Sequence, residues 1–260
     1  MSLVRNVFST ILILALLWPL VYVFWMSFTP GEVLIPPTGE WSLRWYRFFW
    51  ENPQWTDGLW HSLQVAGLTV VGSLLAGGGV ALAVTRYNFR GKRLLSEVVL
   101  LPLYVPAIVL GMSLLPFMRT IGVWGTLFCL AIAHSLSSLP IVFLVIRSAL
   151  EDFNLDLERA ARGLGASVPT TVRRITLPAI ASTLLVGGII AFILSLNEFV
   201  LALFLCTVET ETLPKVIWPN LRYTLTPVVA AASSITILLT LIGLALVIWL
   251  LRIDRIAKQI

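Results

Sequence analysis

Long apolar stretches separated by short polar segments dominate this chain. A helix needs about 20 apolar residues to cross the hydrocarbon core of a bilayer, and six stretches reach that length. They are residues 7–28, 62–85, 94–118, 123–146, 179–206 and 227–251. Only residues 119–122 separate the third stretch from the fourth, which predicts an antiparallel pair of neighbours. The pattern predicts an all-α membrane protein with six transmembrane helices.

The basic residues indicate how these helices are oriented. If all six stretches span the bilayer, thirteen of the 18 lysines and arginines fall on one side. They are Arg5, Arg86, Arg90, Lys92, Arg93, Arg147, Arg159, Arg162, Arg173, Arg174, Arg252, Arg255 and Lys258. The cytoplasmic side carries the excess of Lys and Arg, so both termini are predicted to lie inside.

Composition agrees with a membrane protein. Hydrophobic residues make up 58% of the chain and charged residues 12%, whereas soluble domains carry about 25% charged residues. Lipid is therefore the expected partner of the apolar surface. No basic run interleaved with exposed aromatics indicates a nucleic-acid surface.

The first predicted outer loop is rich in tryptophan. Its five tryptophans are Trp41, Trp45, Trp50, Trp55 and Trp60. Residues 43–50 mix Trp, Tyr, Phe and Arg, a composition typical of a helix that lies along the membrane interface. Contact with an extracytoplasmic partner is a second interpretation, and the two are compatible.

A cytoplasmic loop between the fourth and fifth spans holds the most informative pattern, DLERAARGLGASVPTTVRRITLP at residues 156–178. Asp156 is predicted to cap a short helix, with Glu158 in its first turn and Gly165 at its end. The apolar positions of this helix share one small face and are Leu157, Ala160, Ala161 and Leu164. A second helix is predicted to start at Ser167. The first helix suits either another protein's groove or anionic lipid headgroups, and periodicity leaves both open.

This stretch resembles the EAA loop of the permeases of binding-protein-dependent ABC importers of type I. The family pattern is E-A-A-x-x-x-G, nine residues, then I-x-L-P. The matching positions are Ala160, Ala161, Gly165, Ile175, Leu177 and Pro178. One position departs, because the family glutamate falls on Arg159, which counts as helix position N3 from an Asp156 cap. Glu158, one place earlier, is the candidate substitute.

The resemblance implies a division of labour among several chains. The loop, from Glu158 and Arg159 through Gly165 and Ala166, would dock on a separate ATP-binding subunit and couple it to the spans. Two copies of that subunit would bind ATP and Mg, while a second homologous permease and an extracytoplasmic solute-binding protein complete the importer. This chain would bind no cofactor or metal and would not be an enzyme, since it has no G-x-x-x-x-G-K-[ST] phosphate loop.

The same resemblance implies a domain organisation and a location in the bacterial inner membrane. Residues 1–60 would form the first transmembrane helix and an outer interfacial loop. Residues 61–251 would form the type-1 transmembrane permease core, which contains the coupling helix between spans four and five. Residues 252–260 would be a cytoplasmic tail.

Glu198 is the candidate pathway residue because a carboxylate inside a span is a functional-site hypothesis by default. It is expected near the outer mouth, where it suits a cationic solute. A structural acid bonded through Ser195 or Asn197 is the alternative. SLNEFV at residues 195–200, with the later Leu213, Pro214 and Pro227, resembles the polyamine branch of the family, in particular its smaller spermidine and putrescine component. Asn197 stands where that branch has a further acid, and amino acids, opines or ferric iron are alternative solutes.

Two other functional classes fit the residues less well. A membrane-embedded enzyme would need a catalytic or metal arrangement, but His61 and His134 form no metal spacing with carboxylates. His134 is expected to pack within the fourth span. An ungated channel gives no reason for the docking pattern in the cytoplasmic loop.

Overall fold

Helices form all the regular structure in the part of the chain that the computed structural model describes, which is the backbone of residues 2–257 and the side chains of residues 5–252. In chain order the α-helices are α1 (Ser2–Met26), α2 (Arg44–Glu51), α3 (Pro53–Ser73), α4 (Gly79–Arg86), α5 (Lys92–Leu100), α6 (Ala107–Thr120), α7 (Leu127–Glu151), α8 (Leu155–Gly163), α9 (Val168–Thr171), α10 (Leu177–Ala179), α11 (Ala181–Leu196), α12 (Val200–Leu205), α13 (Leu213–Pro219) and α14 (Val228–Ala257). Single π-helical turns lie at Leu74–Gly78, Val172–Thr176 and Asn220–Thr224, and 3₁₀ turns at Leu101–Leu103 and Val208–Thr210.

Several of these helices are long and apolar enough to cross a bilayer. Among the described residues four qualify without a break, namely Arg5–Met26, Pro53–Arg86, Leu127–Glu151 and Val228–Arg252. Two further candidates are bent pairs, Lys92–Leu103 with Ala107–Thr120 at 106° and Val168–Ala179 with Ala181–Leu196 at 72°. The number of candidate spans is therefore four, or six if each bent pair is one span.

The third and fourth predicted stretches differ from the observed helices. The stretch at 94–118 turns sharply between α5 and α6, where Pro102 and Pro106 each lack a backbone N–H and restrict the residue before them. The stretch at 123–146 begins later than predicted, at Leu127, because the Thr126 side chain caps α7 by accepting a hydrogen bond from the Cys129 N–H.

The fifth predicted stretch, 179–206, is also not one helix. It comprises α11 and α12 with a break at residues 197–199. The predicted interfacial helix at 43–50 is present as α2, which buries Trp45 and Phe49. The predicted tail at 252–260 continues α14 as far as Ala257, and residues 258–260 lie outside the described residues.

By internal contacts the chain divides into two compact units. The first comprises the residues up to His61 together with Glu211–Leu241. In it Ser27 Oγ lies 2.7 Å from the Tyr46 hydroxyl, and the Trp45 indole N–H donates to the Gly31 carbonyl. The apolar stretch of α1 is unburied along its whole length. The aromatic loop after α1 therefore packs on itself while α1 leaves its own surface open.

The second unit comprises Ser62–Thr210 together with the residues from Ile242 onward. Two apolar clusters stabilise it, one around Met118, Leu130 and Leu201 and the other around Phe143 and Ile146. Helix α7 contributes to both clusters. In lipid such packing acts through close van der Waals contact, since lipid tails are as apolar as the side chains.

Gly77 shows how closely two helices of this unit approach. It lies in the π turn at Leu74–Gly78, and a Cβ at Gly77 would stand 3.0 Å from the Leu139 carbonyl oxygen and 3.2 Å from the Phe143 nitrogen. A Cβ would crowd the α7 backbone here, and glycine allows the close approach without displacing either helix. The contact holds the π turn before α4 against α7, the helix that leads into the 156–178 loop.

Candidate functional site

The helix predicted in the 156–178 loop is present as α8, but its cap differs from the prediction. Asn154, and not Asp156, is the N-cap, and its side-chain oxygen accepts the Asp156 N–H at 2.9 Å. The cap lies two residues earlier because Asn154 holds an extended backbone conformation and can reach this N–H. Asp156 and Glu158 then lie in the first turn of α8, where the helix dipole favours negative charge.

Gly165 follows the end of α8, as predicted. Its φ is +88°, a left-handed conformation that glycine adopts without a Cβ clash. The Gly165 N–H donates to the Arg162 carbonyl, and the Ala166 N–H donates to the Ala161 carbonyl, each across 3.0 Å. These two bonds form a Schellman motif, which satisfies the last carbonyls of α8.

Glu158 faces the interior of the second unit. Its Oε1 accepts hydrogen bonds from Arg86 Nε at 2.9 Å and from the Thr176 hydroxyl at 2.8 Å. The side chains of Arg86 and Glu158 are 10% and 15% exposed. Arg86 also donates to the Leu150 carbonyl at 3.0 Å. One carboxylate thus ties α8 to the end of α4 and to the π turn before α10.

Arg159 lies on the exposed side of α8. It pairs with Asp156 at 3.0 Å, and both side chains are about three-quarters exposed. With Asn154 as the cap, Arg159 is the fifth helical residue and not the third, so the predicted N3 position is wrong. Arg159 and Glu158 therefore have opposite environments although they are adjacent in sequence.

Most of the predicted apolar face of α8 is exposed in the second unit. The exposed fractions are 52% for Leu157 and 91% for Leu164, Ala160 is exposed, and Ala161 is half-buried. Large apolar side chains at this exposure on a helix that is otherwise anchored by a buried ion pair are typical of an interaction surface.

The predicted second helix starts where the sequence indicated. Ser167 caps α9, and its hydroxyl accepts the Thr170 N–H. The chain then passes through the π turn and α10 before bending 72° into α11 at Ile180. The Glu158 bond to Thr176 lies within this connection, so α8 is linked by a side chain to the segment that leads into α11.

Glu198 and Asn197 lie at the break between α11 and α12. The Asn197 amide donates to the Ile193 carbonyl at 2.8 Å, and Glu198 Oε1 accepts the Leu201 N–H at 3.0 Å. The Glu198 carboxylate gives the Leu201 N–H a partner at the break, as membrane helices require, whereas the Asn197 amide adds a second donor to a carbonyl that also accepts the Asn197 N–H. Glu198 therefore has a structural role of the kind the alternative interpretation allowed, and the Leu201 backbone is a partner that the sequence did not indicate.

A cavity of about 250 Å³ adjoins this break. Its polar lining residues are His134, Ser137, Ser138, Ser195 and Glu198, and its apolar walls include Leu110, Ile141 and Leu194. Ser195 and Glu198 are thus brought to the same cavity, whereas Asn197 does not line it. The cavity can offer a small polar solute several hydrogen-bonding groups against an apolar wall.

The sequence did not indicate the site roles of two residues, His134 and Arg86. His134, expected to pack, is 1% exposed, accepts or donates a 2.8 Å hydrogen bond with Ser195, and lines the cavity. A histidine inside an apolar stretch is itself an indication of a functional site. Arg86 carried no sequence signal beyond its place at the end of a basic-flanked span.

Comparison with known proteins extends these observations. The family described as binding-protein-dependent transport system inner membrane component matches residues 69–255. The spermidine/putrescine transport system permease protein PotC of Haemophilus influenzae is 31% identical over 237 residues, covering 91% of this chain and 92% of that protein. The molybdenum transport system permease protein ModB of Escherichia coli is 34% identical over 224 residues, covering 78% of this chain and 96% of that protein.

Solved structures share the fold. A chain of a bacterial ABC transporter involved in the import of the acidic polysaccharide alginate has a TM-score of 0.74 at 20% identity, covering 95% of this chain and 94% of that one. A chain of the MetNI methionine ABC transporter has a TM-score of 0.62 at 20% identity and covers 77% of this chain and 94% of that one. At such identities the likeness concerns the fold alone.

The family match extends over most of the chain and includes both the loop and the cavity. A member of this family is a transport subunit and not an enzyme, and ATP hydrolysis takes place in a separate subunit. The chain belongs to the binding-protein-dependent transport system inner membrane components, the membrane-spanning permeases of ABC importers.

Proposed function

We propose that this chain is one permease of an ATP-driven importer in the bacterial inner membrane and that it moves a small cationic solute of the polyamine type. The main support for the proposal is that α8 exposes an apolar face and is anchored by a buried ion pair. Its apolar face is exposed at Leu157 and Leu164, while Glu158 on another side of the helix anchors it to Arg86. Such a helix can receive a partner without losing its own attachment.

The coupling step follows from this anchoring. An ATP-binding subunit docks on Ala160, Leu164 and the turn at Gly165, and two copies serve this chain and a second homologous permease. Closure of the ATP-binding subunits pushes α8. Glu158 transmits the displacement to Arg86 at the end of α4 and to Thr176 before α11, since both residues bond its carboxylate.

Six spans with both termini inside fit this mechanism. Each bent pair then counts as one span. The positively charged ends of the helices, including Arg86, Arg147 and Arg252, lie on the cytoplasmic side, and the exposed face of α8 lies on the side where ATP is available. An extracytoplasmic solute-binding protein delivers the solute to the opposite side.

The polyamine assignment has two supports. PotC of Haemophilus influenzae aligns with nearly the whole chain, and the cavity beside the α11–α12 break has the carboxylate of Glu198 in its lining. ModB, the molybdenum permease, is similar at a comparable identity. A molybdenum oxyanion is therefore the competing solute that best distinguishes the two assignments. A carboxylate favours a cation over an oxyanion. Amino acids, opines and ferric iron are the remaining candidate solutes.

Isolation of the tagged chain from its native cells tests the importer assignment. We expect the complex, in mild detergent, to contain a subunit with a G-x-x-x-x-G-K-[ST] phosphate loop and to hydrolyse ATP faster when solute-loaded binding protein is added. A chain that purifies without any such subunit, yet remains folded and inserted, would contradict the proposal.

A further inference from the structure

One nitrogen of His134 is buried without a hydrogen-bond partner. Among the described residues, Nε2 of this side chain has no partner, and the side chain is 1% exposed. The same residue lines the 250 Å³ cavity with Glu198. Buried polar atoms in folded proteins are nearly always satisfied, so an exception calls for a ligand, an ion or a water molecule.

The hydrogen bonds around His134 determine what Nε2 can do. The Ser195 hydroxyl donates to Thr69 Oγ1 at 3.2 Å, which uses its only proton. Ser195 Oγ must therefore accept from His134 Nδ1, 2.8 Å away. A neutral imidazole protonated on Nδ1 carries a lone pair on Nε2. The ring is neutral because burial of a charged imidazole is costly, and Nε2 is thus an acceptor.

His134 and Glu198 both line the cavity, and each carries a hydrogen-bond acceptor. Glu198 Oε1 accepts the Leu201 N–H, but a carboxylate has about four lone-pair sites and can accept more bonds. An alkylammonium group has three donors and no acceptor. Its methylene chain would lie against the apolar walls at Leu110, Ile141 and Leu194. The volume lies below the roughly 300–1,000 Å³ of drug-sized pockets and fits a small solute.

We propose that this cavity binds a primary ammonium group of the transported solute, with His134 Nε2 and the Glu198 carboxylate accepting its N–H groups. Thr69 and Ser195 hold the imidazole as an acceptor and are positioning residues. The proposal rests on the proposed function, since it names the group of a polyamine-type solute that the permease itself recognises during transit.

Two substitutions separate the role of Nε2 as a hydrogen-bond acceptor from the role of the His134 side chain in packing. The amide of His134→Asn reaches the Nδ1 position and keeps a donor for Ser195, but nothing replaces Nε2. His134→Gln reaches the Nε2 position with an acceptor oxygen. His61→Asn is the matched control, because His61 is the other histidine of the chain and bonds the Glu211 carbonyl at 3.0 Å without lining the cavity.

The whole importer in proteoliposomes, with saturating binding protein, is assayed for putrescine uptake and ATP hydrolysis. Loss of one hydrogen bond to a charged group weakens binding by about tenfold or more. We expect His134→Asn to lower uptake per ATP hydrolysed by about tenfold, His134→Gln to recover most of it, and His61→Asn to match the unmodified chain. Equal uptake by His134→Asn and the unmodified chain would overturn the proposal.

Nitrogen NMR of the importer reports the protonation of the imidazole and its response to solute, which would not change if His134 only packed against its neighbours. This chain alone carries ¹⁵N-histidine, in the His61→Asn background, so that His134 gives the histidine signals. We expect a protonated Nδ1, an unprotonated Nε2, and a shift of Nε2 when putrescine is bound. A protonated Nε2, or an Nε2 signal that putrescine leaves unchanged during active uptake, would overturn the proposal, because Nε2 would then not accept an N–H of the solute. An unmodified complex that takes up no putrescine would instead contradict the proposed function.

Discussion

Arg86 donates a hydrogen bond to Glu158 across 2.9 Å, although Arg86 ends α4 and Glu158 lies in the loop after α7. Thr176 bonds the same carboxylate oxygen at 2.8 Å. The carboxylate of this loop therefore faces the transmembrane helices, one position before the place where related permeases carry their glutamate. The outward position is taken by Arg159, paired with Asp156.

Loss of the Glu158 charge should destabilise the permease. In Glu158→Gln, Arg86 keeps its buried guanidinium without a counter-ion, and breaking a buried pair in this way costs about 3–5 kcal/mol. We expect a lower unfolding temperature of the purified complex and a loss of ATP-coupled uptake, both measurable on the same preparation.

The control for this prediction is an exposed pair. Arg93 and Glu97 are 3.2 Å apart with side chains 95% and 64% exposed, so Glu97→Gln should leave the unfolding temperature unchanged. The double variant Arg86→Met with Glu158→Leu should recover most of the stability, because it removes both charges. An undiminished unfolding temperature in Glu158→Gln would show that the pair does not hold the loop.

Gly165→Ala should weaken coupling through backbone strain. A non-glycine residue in the left-handed region costs roughly 1–2 kcal/mol, and strain at Gly165 displaces the turn that ends α8. We expect a lower ATPase stimulation by loaded binding protein. Gly91 has the same φ of +88° and equally open surroundings, so Gly91→Ala matches the strain outside the loop and should retain stimulation. Equal behaviour of the two variants would remove the special role of the α8 terminus.

Chemical labelling tests the orientation of the chain. Leu164 and Val208 are 91% and 87% exposed, and the native Cys129 and Cys206 are buried. In intact cells a membrane-impermeant maleimide should label Val208→Cys but not Leu164→Cys, and permeabilisation should make both react. The opposite pattern would place the α8 loop outside and exclude contact with an ATPase.

Glu198 should contribute charge as well as a local hydrogen bond. Glu198→Gln keeps an oxygen that can accept the Leu201 N–H and removes only the charge. We expect putrescine uptake to fall by about tenfold, the lower end for a hydrogen bond to a charged group, while the unfolding temperature is retained. Glu198→Ala should lower both. Unchanged uptake kinetics in Glu198→Gln would restrict Glu198 to the α11–α12 break.

Much of the architecture could be predicted because membrane helices are recognised in a sequence by their length and hydropathy. The predicted α2 and the predicted helix before Gly165 are present. The breaks could not be predicted from hydropathy alone. Residues 197–199 interrupt the fifth stretch, and the Glu198 side chain accepts the Leu201 N–H at this break, a bond that a hydropathy pattern does not report.

The features of the candidate site that depend on local sequence could be predicted. Those that depend on contacts between distant residues could not. Gly165 and Ser167 have the capping positions that their residue types indicate. The bond from Glu158 to Arg86 joins residues 72 positions apart, and only the tertiary structure brings them together. The same holds for His134 and Ser195, which are 61 positions apart.

Uptake by the reconstituted importer is the decisive test that this chain is a permease driven by ATP. The complex isolated with this chain is placed in proteoliposomes with loaded binding protein on one side and ATP on the other, and accumulation of labelled putrescine is measured. We predict accumulation that requires hydrolysable ATP, is lost in Glu158→Gln and is not competed by molybdate. Accumulation that proceeds equally with a non-hydrolysable ATP analogue would contradict it.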